Sequence, residues 1–198
     1  MVAGGKDLRR ESGLSPVPRL KEIAPEQMSE AQREACAQMV AGKRGRVPPP
    51  FQALLPSPTL CMRAQSLGEF LRYDSALLPR LSELAILVTA RFWSAQYEWH
   101  VHAAMAEKGG LDRAIIDAIA ESRDPSRAMK EDERAVYAFA RMLHEKHQVD
   151  DATYTEAVRC LGDRAVVDLV GILGYYTLIS MTLNVFEVPV PGGNPPLR

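Results

Sequence analysis

Glu83, Glu98 and His102 are the residues of this chain best suited by type and spacing to do chemistry. Glu98 and His102 are four residues apart, so on a helix they share one face. Imidazole titrates near neutral pH, and a carboxylate can orient it, charge it or exchange its proton. Glu83 lies in the apolar run LSELAILVTARF, where an ionised side chain is costly unless it is paired or used. A carboxylate on a buried helix, facing a carboxylate–imidazole pair on the next, is equipment for proton transfer. The same residues also have a structural reading. Glu83 could pair with Arg80 or Arg91, and Glu98 with His102 could be a solvated surface pair.

Two helices must position these groups. The first spans about 79–93 and carries Leu84, Ile86, Leu87, Val88 and Phe92, apolar almost all round, so burial is expected. The second spans about 96–108 and is amphipathic. A tight break near Ser94–Ala95 should fold the pair antiparallel. Counted from that break, Glu83 lies about 16 Å back along one axis and His102 about 10 Å forward along the other, at 1.5 Å per residue. The offset is about one turn, which the two side chains can span directly or through one water. Glu98 should point into the same space.

The frame around these residues is Glu83, eleven residues, Ala95, two residues, Glu98, three residues, His102. It resembles the carboxymuconolactone decarboxylase family, which includes the alkyl hydroperoxidase D-like proteins. The redox branch has cysteines at the two inner positions; here they are Ala95 and Glu98. Tyr97–His102, YEWHVH, looks like the Tyr-Glu-Trp-x-x-His of non-thiol members. The likeness runs from about Phe51 to Pro189, through LLPSPTL and GYYTLISMTLNVFEVP. It implies a helical fold, trimers or hexamers with sites walled by more than one subunit, and cofactor-independent decarboxylation of an unsaturated lactone or related small acid. In such a reaction His102 would transfer the proton, Glu83 would orient and charge it, and Glu98 would serve as a second acid or base. Without the paired thiols, dithiol reduction of hydroperoxides is the least favoured activity. A non-catalytic oligomer of the same fold that binds a small molecule is the alternative.

A small carboxylic acid also needs cations and walls. Arg72, Arg80 and Arg91 are the nearest in sequence, and a planar guanidinium suits a carboxylate. Tyr73, Tyr97, Trp99 and Tyr176 could line the pocket or pack as aromatic core. No metal site is expected: His100 and His102 would point about 200° apart on a helix, and Glu98 with His102 has no matching second pair.

The 198 residues suit one domain, with 46% hydrophobic and 25% charged residues. A net charge of −1 provides no field for nucleic acid. No apolar run of membrane-spanning length is free of polar residues, and MVAGGKDLRRESG lacks an apolar signal core, so a cytoplasmic protein is expected. Cys36, Cys61 and Cys160 are far apart and read as unbridged thiols.

The expected architecture is an all-α bundle of about seven or eight helices spanning 25–190, between an extended arm (1–24) and a tail (191–198). Pro25 is expected to open the first helix, to about Gly42. Ser57 and Pro58 should open the second, with Leu60, Ala64, Leu67, Phe70 and Leu71 inward. The basic segment Gly42–Pro50 reads as a solvated loop, and His144 and His147 as surface histidines at a helix end. The last helix is apolar on too many sides for a surface helix, so it is the domain centre or an interface.

Overall fold

The computed structural model describes residues 18–197. Among them are nine α-helices, two short 3-10 turns and no strand, so the fold is all-α as expected. The helices are α1 (Glu30–Ala41), α2 (Pro49–Leu54), α3 (Pro58–Tyr73), α4 (Pro79–Phe92), α5 (Gln96–Lys108), α6 (Arg113–Ala120), α7 (Glu131–Lys146), α8 (Asp151–Leu161) and α9 (Asp163–Val185). The helix not anticipated is α2, a six-residue turn opened by Pro49 and Pro50.

Helix α4 is the centre. Leu81 through Ala90 are all buried, and α5, α7 and α9 pack around it. Each buried Leu, Ile or Val side chain contributes about 1.5–3 kcal/mol, so this run is a large share of the core energy. Ser94 ends the helix with a left-handed φ of 48°. Ala95 N–H donates to Ala90 O at 2.8 Å and Ser94 N–H to Arg91 O at 3.1 Å, closing the last carbonyls. The chain then enters α5 at once. Arg80, one of the partners considered for Glu83, instead reaches α7. It pairs with Asp132 and, at 2.9 Å, with the buried Glu133.

Helix α9 is long and apolar enough to cross a membrane by length and composition, yet most of it is buried against α2, α3, α4 and α8. Its buried Asp168 accepts from Ala76 N–H at 2.8 Å, which ties the turn between α3 and α4 to the core.

Two expectations shift. Pro25 opens only a 3-10 turn, Pro25–Gln27. The α1 helix starts later because Ser29 and Gln32 form a reciprocal capping box: Gln32 N–H donates to Ser29 Oγ and Ser29 N–H to Gln32 Oε1. In α3 the inward face is Cys61, Ala64, Gln65, Gly68 and Leu71, while Leu60, Leu67 and Phe70 are exposed. Packing chose the smaller residues. A Cβ on Gly68 would lie 2.1 Å from the Tyr175 hydroxyl oxygen, so only glycine admits α9 that close.

Of the expected N-terminal arm, residues 1–17 lie outside the described residues. Arg19 is described and binds the end of α9, donating to Val185 O at 3.0 Å and pairing with Glu187 at 2.8 Å. In the tail, Leu197 is buried, and its backbone N–H and C=O are both bonded by the Gln96 amide.

Candidate acid–base site

The packing of α4 on α5 brings Glu83, Glu98 and His102 together. His102 Nδ1 lies 2.6 Å from Glu83 Oε2, and Nε2 lies 3.0 Å from Glu98 Oε1. All three residues are buried. Glu98 comes from the first turn of α5, where a carboxylate also faces the favourable end of the helix dipole. His100, two residues before His102, points to solvent.

Burial alone would push the His102 pKa down, because it disfavours the charged ring. The two carboxylates outweigh it and raise the value to about 9. At neutral pH the imidazole is therefore a cation donating N–H to a carboxylate on each side. The rim of Tyr176 meets the His102 ring edge-on, 5.1 Å between centroids, and Tyr175 packs on Tyr176 in the same way. Burial drives both tyrosine hydroxyls well above their ordinary range, so they act as neutral hydrogen-bonding groups.

Glu98 and His102 open on a cavity of about 250 Å³. Glu83 does not line it; it lies behind the imidazole, holding Nδ1. Arg72, Tyr73, Tyr97 and Tyr176 line the cavity. Arg91 and Trp99 do not. Arg91 is on the last turn of α4 and faces a different cavity, and Trp99, one residue and thus about 100° round the helix from Glu98, is packed in the core.

The basic segment read as a solvated loop supplies two further walls, Arg44 and Arg46. The Arg44 guanidinium lies over the Phe51 ring at 4.9 Å, and its buried Nε has no hydrogen-bond partner among the described residues. Tyr175 also lines the cavity, and local spacing did not single it out. Nothing in GKRGRVPPP has a period that would show that the partly buried Arg44 and the exposed Arg46 stand at the cavity.

The arrangement of cations is informative. Arg72 donates to Met105 Sδ at 2.7 Å, a weak acceptor, and stacks near Tyr73. Its charge is favoured, although burial opposes it, by Tyr176, Tyr73, Glu83 and Glu98. Among the described residues, Arg44, Arg46 and Arg72 form no ion pair with an acid. Such a group can take an anion from solvent without first breaking an internal pair. Cys36, Cys61 and Cys160 are free thiols, and none lines this cavity. Burial pushes the Cys61 thiol up to about 11, so it is not poised as a thiolate. One group of possible metal ligands, Glu131, Glu156 and Cys160, is bridged by Arg159, at 2.5 Å from Glu131 and 2.7 Å from Glu156.

No protein-family model matches the sequence, and no curated protein matches it. Solved structures do. An alkylhydroperoxidase AhpD core protein from Ralstonia eutropha, an uncharacterised peroxidase-related protein, is 19% identical, with a TM-score of 0.70, covering 92% of this chain and 94% of its own. An uncharacterised peroxidase-related protein from Silicibacter is 14% identical, with a TM-score of 0.66 and coverages of 92% and 95%. A debrominase is 16% identical, with a TM-score of 0.61 and coverages of 87% and 90%. At these identities the likeness is one of fold. The chain has the helical fold of the alkyl hydroperoxidase D-like proteins.

Proposed function

We propose that this chain is a cofactor-independent acid–base enzyme of the carboxymuconolactone decarboxylase type, acting on an unsaturated lactone or related small carboxylic acid. The observation that carries the reading is His102, bonded at both ring nitrogens by buried carboxylates and open to a cavity with three arginines that form no ion pair with an acid among the described residues. The arginines would hold the substrate's carboxylate or oxyanion. Loss of CO₂ leaves the bond's electron pair in the unsaturated ring as a dienolate, whose oxygen the guanidiniums stabilise. A proton from the His102–Glu98 end then goes to carbon, and solvent restores it. Glu83 acts through His102: it fixes the ring and keeps it charged. A cytoplasmic location accords with three unbridged thiols.

The direct test is CO₂ release from 4-carboxymuconolactone, with related lactones alongside. Turnover should survive replacement of Cys36, Cys61 and Cys160 together by alanine. A protein that binds these lactones without converting any of them would be a non-catalytic binder. Hydroperoxide reduction lost in the triple variant would replace the proposal by thiol chemistry.

The same reading includes self-association as a trimer or hexamer. Leu60, Leu67 and Phe70 on α3 and Val167, Val170 and Met181 on α9 are exposed apolar side chains on helices that pack together. Sedimentation should give a mass that is a multiple of 21.9 kDa. A species of monomer mass alone at micromolar concentration would reject it.

A further inference from the structure

Among the described residues, Arg44 is held at the His102 cavity by neutral groups. Its neighbours in the chain set it against α3. Lys43 binds the Asp74 carboxylate at the end of α3, at 2.5 and 2.7 Å. Gly45 turns the chain with a left-handed φ of 67°. The Arg44 guanidinium lies over the Phe51 ring at 4.9 Å. A Cβ on Gly68 would lie 2.8 Å from Arg44 Nη2 and 2.1 Å from the Tyr175 hydroxyl oxygen. The missing side chain of Gly68 therefore leaves the space in which the tyrosine hydroxyl and the guanidinium come together.

None of these contacts neutralises the cation. An aromatic face and a phenol oxygen both favour a guanidinium without cancelling its charge. Burial raises the Tyr175 hydroxyl pKa, and Arg44 works against that rise, as a cation beside a phenol should. The Arg44 Nε is enclosed and has no hydrogen-bond partner among the described residues, so part of the cost of its burial stays uncompensated. A carboxylate in the cavity would offset that cost. Arg72 stands differently. It leaves α3 one turn beyond Gly68 on the same face, about 6 Å along the axis at 1.5 Å per residue. From there it reaches Met105, about one turn beyond His102 on α5, and its charge is favoured by Glu83 and Glu98. Arg72 is thus beside the acid–base centre, and Arg44 is set about a turn away along α3.

We propose that Arg44 is the specificity-determining residue of this cavity, binding a substrate carboxylate that does not react, and that Tyr175, seated over Gly68, is the residue that positions it. The assignment rests on the acid–base reading of the His102 cavity, with Arg72 serving the reacting end. Tyr175 acts through Arg44: it fixes the guanidinium and leaves its charge for the ligand.

The test uses the full chain, with glutarate and its monoamide, glutaramate, as probes of equal shape and unequal charge. Binding is read by calorimetry. Glutarate should bind at least about tenfold more tightly, the scale of one charge-assisted bond. Arg44→Ala should erase that preference. Tyr175→Phe removes the hydroxyl and keeps the ring, so it should lower the preference by about threefold or more at unchanged helical content. With a converted lactone that carries a second carboxylate, Arg44→Ala should raise KM about tenfold or more and leave kcat within about threefold. Failure of glutarate to bind, a preference that survives Arg44→Ala, or a fall in kcat at unchanged KM would each overturn the role of Arg44. A preference unchanged in Tyr175→Phe would overturn that of Tyr175. If no lactone is converted, the acid–base reading fails, and the two probes still decide what Arg44 binds.

Discussion

His102→Ala should abolish turnover of the lactone substrate, by about 10²–10⁴-fold, the usual contribution of a positioned acid–base group. The variant also leaves two buried carboxylates, from Glu83 and Glu98, facing each other without their shared cation. Removing one member of a buried ionic group typically costs about 3–5 kcal/mol, so lowered stability should accompany the loss. His102→Gln is the control for folding, because its amide still donates to one carboxylate. If His102→Gln keeps native helical content and native activity within about threefold, well short of the loss expected for an acid–base group, the catalytic role is gone. Glu83→Gln should act differently from Glu98→Gln. The first keeps a hydrogen-bond acceptor behind Nδ1 but removes its charge, so His102 should lose its proton at lower pH. The alkaline limb of kcat/KM should move down with it. The second alters the group that opens on the cavity and should lower kcat itself.

A proton on His102 should also be visible in the stability of the protein. Its pKa rises from the ordinary 6.5 to about 9 in the folded chain. A folded-state pKa above the unfolded one means that folding is favoured by the protonated ring. That stabilisation is complete below about pH 6.5 and fades as pH rises through about 9. A shift of this size corresponds to about 3 kcal/mol, at 1.36 kcal/mol per unit. Urea unfolding at a series of pH values should therefore show a decline between these limits that is absent from His102→Gln. The His102 imidazole resonances, followed by NMR, should titrate well above the ordinary histidine range. A His102 midpoint below 6.5, or identical pH dependence in the variant, would contradict the doubly bonded imidazolium.

The sequence by itself determined the parts governed by local rules. The run from Leu81 to Ala90 is apolar almost all round, so a buried helix was expected from it. The break at Ser94–Ala95 and the four-residue spacing of Glu98 and His102 follow from helix geometry, and so does an offset that lets Glu83 reach the imidazole. The all-helical class follows from period and capping signals throughout. Tertiary structure decided which side chains wall the cavity. Arg91 looked suitable by proximity in sequence, but its place on the last turn of α4 directs it to a different cavity, with the partly buried His144, whose stacking on Phe92 no surface pattern announces. Arg44 and Arg46 read as solvated charges; Arg46 is indeed exposed, but Arg44 is partly buried, and both stand at the cavity. On α3, Ala64 and Leu71 are inward as expected, but Leu60, Leu67 and Phe70 were misread because a hydrophobic pattern ranks large apolar residues above glycine. Packing ranked close approach instead, and the Tyr175 hydroxyl fits only against a residue without a Cβ. Local periodicity encodes which side of a helix is apolar; which neighbour meets that side, and how near it comes, depends on distant residues that no local window contains.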